Sequence, residues 1–224
     1  MATYYSVKSM MQNYKDIFIE SAYKCGALQF GEFTLNSGRK SPFFFNTGKF
    51  SNGSAINAIA NAYVNTIINN GLKFDMIFGP AYKGIPLVTS ISQVLYQREN
   101  LSVPFSFNRK EKKDHGETGL LVGAEIKKKV LVIDDVISSG VSIAESIQII
   151  RKNKGEVACI LIALDRKEKK DDSLNNEEAL SIMVNIPIFS IINYFDIINF
   201  IQDKPDLSTY RDSLVRYHNR YGIN

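Results

Sequence analysis

The stretch VLVIDDVISSGVSIAES, Val130–Ser146, decides how the rest of the chain is read. An apolar run, Val130 to Ile133, leads into two adjacent carboxylates, Asp134 and Asp135. Val136 and Ile137 follow, then the small residues Ser138, Ser139 and Gly140, then an amphipathic run from Val141 and Ser142 onward. A short apolar run with such flanks fits a strand buried on both faces, and the spacing beyond Gly140 predicts a helix. In parallel sheets ligands collect beyond the carboxyl ends of strands, where Asp134 and Asp135 fall. The first N–H groups of a helix have no internal partner and its dipole adds partial positive charge. Ser138–Ser142 is therefore a candidate cradle for a phosphate monoester, with Gly140 allowing close backbone approach. The acid pair suits sugar hydroxyls or hydrated Mg²⁺. Taken singly, each residue has a plainer account as a strand end or helix cap. Two neighbouring carboxylates, however, repel unless a cation or a set of donors uses them.

The flanking sequence supplies the sheet. Strand and helix patterns alternate: a strand at Met76–Phe78, a helix at Ile85–Arg98, a strand at Pro104–Phe107, a polar loop at Asn108–Thr118, a strand at Lys129–Asp134, a helix at Val141–Lys152 and a strand at Val157–Asp165. That order predicts an α/β fold, a parallel sheet with helices on both faces. Before it come a helix over Val7–Lys24, short antiparallel strands over Leu28–Asn46, and a helix around Ile56–Ile68. After it come a charged surface loop over Arg166–Glu178, a strand at Ile188–Ile192 and helices at Tyr194–Gln202 and Leu207–Tyr221. No repeat or linker divides the chain, which is expected to form one domain over residues 1–224.

Composition bounds the function classes. The 224 residues are 45% hydrophobic and 11% aromatic, enough for a real core. A net charge of +4 suits small anionic ligands and lacks the dense basic stripe of a nucleic-acid binder. The late apolar run Ile186–Ile201 is interrupted by Asn193, Asp196 and Asn199, too polar to span a bilayer. The N-terminus has no apolar signal core. Cys25 and Cys159 have neither metal spacing nor a disulfide framework, and are expected to be buried thiols. A soluble cytoplasmic protein is expected. The segment lacks the G-x-x-x-x-G-K-[ST] of a P-loop. In receiver domains the strand-end acids lie near the start of the domain, without a Ser-Ser-Gly turn.

With the strand, the acid pair and the small-residue turn in this order, the segment resembles the phosphoribosyl diphosphate signature of type I phosphoribosyltransferases. Four further segments are similar to the orotate phosphoribosyltransferases of that family: FGEFTLNSGRKSPFFFN (Phe30–Asn46), FGPAYKGIPL (Phe78–Leu87), FNRKEKKDHGETG (Phe107–Gly119) and DRKE (Asp165–Glu168). The resemblance implies transfer of ribose 5-phosphate from 5-phosphoribosyl 1-diphosphate to orotate in pyrimidine synthesis, with Mg²⁺. It assigns the ribose hydroxyls to Asp134 and Asp135 and the 5′-phosphate to the turn Ser138–Ser142 (Ser138, Ser139, Gly140, Val141, Ser142), with Val136 and Ile137 also among the residues that bind the sugar diphosphate. It assigns the diphosphate to Tyr82, Lys83, Arg109, Lys113 and His115, and the orotate pocket to Phe44, Phe45, Ser138 and Arg166. Lys113, His115, Asp134 and Asp135 are the expected catalytic residues. Lys110 is expected to reach the site of a second subunit, which implies a homodimer. Mg²⁺ is expected to be held mainly by substrate and water. Residues 1–50 and part of the C-terminal region are expected to form a hood over the substrates.

The residues agree without the name. Arg109, Lys110, Lys112, Lys113 and His115 crowd a Gly-ended segment; an arbitrary basic loop is a solvated charge run, but here it can close on a polyanion. Flat aromatic rings offer stacking to a pyrimidine, and the planar guanidinium of Arg166 suits a carboxylate. Asn36 departs from the family, which commonly has Lys there. His218 has no motif around it and is read as a surface residue.

Overall fold

The computed structural model describes residues 14–35, 37–113, 119–138, 140–169, 183, 185–202 and 204–223, with the backbone alone at 112, 113 and 119. Helix α1 (14–24) leads into an antiparallel hairpin of β1 (Leu28–Thr34) and β2 (Lys40–Phe45). A 3₁₀ turn, Thr47–Lys49, precedes α2 (Gly53–Asn69), whose first turn is capped by the Asn52 side chain accepting from Ala55 N at 3.0 Å. Then follow β3 (Met76–Gly79), α3 (Gly84–Glu99), β4 (Phe105–Lys113), β5 (Gly119–Gly123), β6 (Lys129–Asp134), α4 (Val141–Lys152), β7 (Glu156–Asp165) and β8 (Ile188–Asn193). Helix α5 (Tyr194–Gln202), a 3₁₀ turn (Pro205–Tyr210) and α6 (Arg211–Tyr221) complete the chain.

The large sheet runs β5-β4-β3-β6-β7-β8, parallel except for β4 with β5. From β3 the chain winds through α3 out to β4, returns past β3 to β6, and then winds the other way through α4 to β7. Strands β3 and β6 thus lie side by side, Phe78 opposite Val132, with their connections leaving in opposite directions. That is a topological switch point, and it opens a crevice at the strands' carboxyl ends.

Alternation along the strands sorts the core. Val130 and Val132 face one side, with Met76, Phe78, Ile160 and Ile162, against Ile143, Ile147 and Ile150 of α4. Leu131 and Ile133 face the other, with Ile77, Leu161 and Ala163, against α2 and α3. Both faces are covered, so an uninterrupted apolar run is what this position requires. The hairpin packs on the C-terminal elements through aromatic rings: Phe43 lies 6.4 Å from Tyr217, and Phe30 stacks on Tyr210 at 5.6 Å.

Several expectations are corrected. Asn108–Lys113 is not loop but the continuation of β4, and the antiparallel edge strand β5 has no counterpart in the sequence reading. The expected helix at Leu207–Tyr221 begins as a 3₁₀ turn after Pro205. The first residues of the expected surface loop, Arg166–Glu168, are half-buried, and Glu168 bridges to Gly222. His218 is not a bare surface residue: its ring stacks on Tyr194 at 4.2 Å. Cys159 is buried as expected, whereas Cys25 is only half-buried. Residues 7–13 and 170–178 of the expected elements lie outside the described residues. Among the described residues, no helix is long and apolar enough to cross a membrane.

The β3–α3 corner depends on a backbone contact. A Cβ on Gly79 would lie 2.5 Å from the carbonyl oxygen of Gly84. Gly79→Ala is therefore expected to destabilise the protein by about 1–3 kcal/mol, seen as a lower urea midpoint with an unchanged slope.

Candidate active site

Asp134 and Asp135 end β6 and are buried. Their surroundings differ. The Asp135 carboxylate accepts from Thr47 Oγ1 at 2.9 Å and from Lys83 Nζ at 2.7 Å, both on Oδ2, while Oδ1 accepts from Val136 N at 2.8 Å. Asp134 Oδ1 accepts from the Asp135 amide at 2.9 Å and lacks such a cation. Burial, and then the charge of Asp135, push the Asp134 carboxyl up to about 7; the Asp135 amide and the more distant Lys83 and Lys110 offset this only in part. The Asp134 carbonyl accepts from the buried Tyr63 hydroxyl at 2.7 Å. Burial and the two carboxylates push that phenol well above its usual range, so it remains a donor.

Lys83 reaches Asp135 from the loop between β3 and α3. Gly84 N donates to Pro80 O at 2.9 Å, and Ala81 N donates to the Asn108 side chain on β4 at 2.9 Å. The Ala81–Tyr82 peptide is cis, and the Tyr82 ring is exposed. A cleft of about 230 Å³ lies between this loop and the Thr47 turn, with Tyr82, Lys83 and Thr47 in its lining. Beyond the acids the chain enters α4 through Gly140, whose φ of +76° belongs to the left-handed region that glycine adopts without strain. Ser138 is exposed, and Val136, Ile137, Val141 and Ser142 are half-buried around this helix start.

A second cluster sits past the end of β7. The Arg166 guanidinium lies 3.9 Å from the centroid of the buried Phe43 ring. Its Nη2 donates to Ser41 Oγ at 2.8 Å and its Nε to Glu168 Oε1 at 2.6 Å. Phe44 is exposed and stacks on Phe33 at 5.5 Å. The Phe45 ring is buried, 6.3 Å from Phe18, and is not free to stack on a ligand as expected. Strand alternation is the reason: neighbouring side chains point to opposite faces.

Of the remaining expected residues, Arg109 is half-buried and Lys110 exposed on β4. The Lys113 side chain, His115, Ser139 and Asn36 lie outside the described residues. Thr47, Tyr63, Ser41 and Glu168 were missed as site residues. Tyr63 sits on the apolar stripe of α2 and reads as core, and a lone Thr or Ser carries no spacing signal. Ser41 and Glu168 lie within the segments that resemble the family, Phe30–Asn46 and Asp165–Glu168.

The chemistry follows from this arrangement. The crevice joins the start of α4, two buried acids able to accept from hydroxyls, and a lysine whose ammonium is half-exposed. Among the described residues no group of three or more His, Cys, Asp or Glu side chains could hold a metal ion. The charge strain on Asp134 nevertheless fits a divalent cation held nearby through water and ligand oxygens.

Raising the Asp134 carboxyl from 3.8 to about 7 has a sign. The folded protein holds a proton there that the unfolded chain releases. The stability from this proton is complete at low pH and is lost as pH rises through 7. Asp134→Asn keeps an acceptor for the Asp135 amide without the charge. Thermal melts should show the variant more stable than the parent at pH 8, by on the order of 2 kcal/mol, with the gap narrowing below pH 7 and closing at about pH 4.

Residues 47–190 match the phosphoribosyl transferase domain family. The chain is 46% identical over 213 residues to the orotate phosphoribosyltransferase of Marinobacter nauticus, covering 95% of this chain and 100% of that protein. It is 44% identical, with the same coverage, to the orotate phosphoribosyltransferase of Actinobacillus pleuropneumoniae. Among solved structures it is similar to the orotate phosphoribosyltransferase of Francisella tularensis, with a TM-score of 0.79 and 39% identity over 92% of this chain and 99% of that one.

Proposed function

As the chain belongs to the phosphoribosyl transferase domain family and, within it, to the orotate phosphoribosyltransferases, we propose that it joins orotate to 5-phosphoribosyl 1-diphosphate in the crevice between β3 and β6. The enzyme is a glycosyltransferase of pyrimidine biosynthesis, and its products are orotidine 5′-phosphate and diphosphate. The observation that carries the location is the meeting of Asp135, Lys83 and the Gly140 helix start at the switch point.

Orotate N1, its proton given up to solvent or to the departing diphosphate, bonds to the anomeric carbon as the bond to diphosphate breaks, the bonding pair leaving with the diphosphate. The sugar gains oxocarbenium character, and no protein nucleophile is required. The chain's contribution is position and charge. The amides of Ser138–Ser142 hold the 5′-phosphate, and Asp134 and Asp135 accept from the ribose hydroxyls. Lys83, with Tyr82 and Arg109, faces the diphosphate, and Lys113 and His115 close over it. Asp134 and Asp135 are the residues that would hold Mg²⁺, through water, and the ion would supply further neutralisation of the leaving group. Arg166 takes the orotate carboxylate, and Phe44 with the Phe45 main chain borders the ring. The β1–β2 hairpin and the C-terminal helices form the hood over that end. Lys110, exposed on β4, reaches the neighbouring subunit of a homodimer. The enzyme works in the cytoplasm.

Release of diphosphate from 5-phosphoribosyl 1-diphosphate with Mg²⁺ tests the activity. It should require orotate and fail with uracil, which lacks the carboxylate; equal rates with uracil would defeat the proposed base. Lys113→Ala should lower kcat by roughly 10²–10³, the effect of one lost oxyanion donor, with little change in orotate affinity. Shared sites can be read by mixing: Lys110→Ala and Asp135→Asn subunits, each nearly inactive, should regain activity as heterodimers. No mixture exceeding its parents would mean that each site is built from one chain.

A further inference from the structure

We infer that Glu168 is a positioning residue for the base subsite, fixing the Arg166 guanidinium and coupling it through Tyr217 to the C-terminal helix. This rests on the function proposed above. Arg166 Nε donates to Glu168 Oε1 at 2.6 Å, and both side chains are 15% exposed. The same oxygen accepts from the Tyr217 hydroxyl on α6 at 2.9 Å. The other oxygen faces Arg39 Nη1 at 3.6 Å, which also donates to Lys169 O at 3.1 Å.

On its other side Arg166 Nη2 meets Ser41 Oγ. The Ser41 proton is directed to Phe43 O at 2.7 Å, so Ser41 can only accept from Arg166. Nε and one Nη2 donor are thus engaged and Tyr217 lies beside the guanidinium, while its outer edge keeps donors able to grip a planar carboxylate. Rotation about the Cδ–Nε bond would turn that edge away. The bond to Glu168 at Nε and the Phe43 ring below hold it.

The chain end is fastened to the same segment. Lys169 N donates to Tyr221 O at 2.6 Å, Ile223 N donates to Lys167 O at 2.8 Å, and Glu168 bridges to Gly222. A Cβ on Gly222 would overlap the His218 ring, so this close passage depends on glycine. Burial and the neighbouring Glu168 carboxylate raise the Tyr217 phenol, which keeps its proton on the donor side. The base subsite is thus set from two distant parts of the chain, β2 and α6.

The test is steady-state kinetics on the full-length enzyme, varying orotate and 5-phosphoribosyl 1-diphosphate separately. Glu168→Gln, which keeps size and loses charge, should raise KM for orotate roughly 10-fold, the effect expected of one hydrogen bond to a charged group. KM for the sugar diphosphate should stay within about a factor of two, since its contacts are separate. Tyr217→Phe should shift the orotate KM in the same direction by less, and serves if the Glu168 variant does not fold. In an Arg166→Lys background, which has no guanidinium fork, Glu168→Gln should change the orotate KM no further. Parallel rises in both KM values, an unchanged orotate KM, or additive effects in the double variant would overturn the inference. A parent enzyme that releases no diphosphate with orotate would instead overturn the proposed function itself.

Discussion

One carboxylate oxygen, Asp135 Oδ2, joins three parts of the chain that are far apart in sequence. Thr47 reaches it from the turn after the hairpin, and Lys83 from the loop after β3, while Asp135 itself ends β6. The joint sits where burial strengthens a charge-assisted bond and penalises an unpaired charge. It therefore sets the distance between hairpin, loop and central strand, the three walls of the crevice. Lys83 remains half-exposed, so its ammonium can serve an arriving polyanion as well as Asp135. The exposure also keeps the worth of this ion pair as a stabilising contact small.

The neighbouring acid pays for that arrangement. Asp134 shares the burial and the like charge but has no ammonium of its own, and its carboxyl titrates near neutrality, at about 7. Two adjacent residues of one type thus have different jobs. Asp135 accepts from a hydroxyl and an ammonium within the fold, whereas the charge of Asp134 becomes favourable only where a further donor or cation is supplied. Stability given up here is consistent with a site shaped for a ligand rather than for the empty protein.

Legibility followed the physics of burial. Strand β6 and helix α4 matched expectation at both ends, because a strand covered on both faces must be apolar throughout and the carboxylates and Gly140 mark its limits. The extension of β4 through Arg109–Lys113 was hidden because its partner β5 is an edge strand. Edge positions tolerate, and often use, charged side chains, so RKEKK looks like a solvated loop. The SPFFFN segment gave its strand, but not which ring stays outside. Phe43 and Phe45 went to the core and Phe44 to the surface, a choice made by the hairpin's packing on α6 and α1. His218 read as surface because a lone histidine carries no period, and only the fold brought Tyr194 beneath it.

The sequence by itself determined the alternation of strand and helix, the acid pair at a strand end, the turn into a helix and the family these belong to. Each is a local pattern written in neighbouring residues. Only the tertiary structure decided that β3 and β6 lie together, that Thr47 and Tyr63 support the two acids, and that Glu168 joins Arg166 to the C-terminal helix. These contacts link residues dozens of positions apart. Their partners are ordinary Thr, Tyr and Glu side chains, whose meaning comes from the low-dielectric place in which folding sets them.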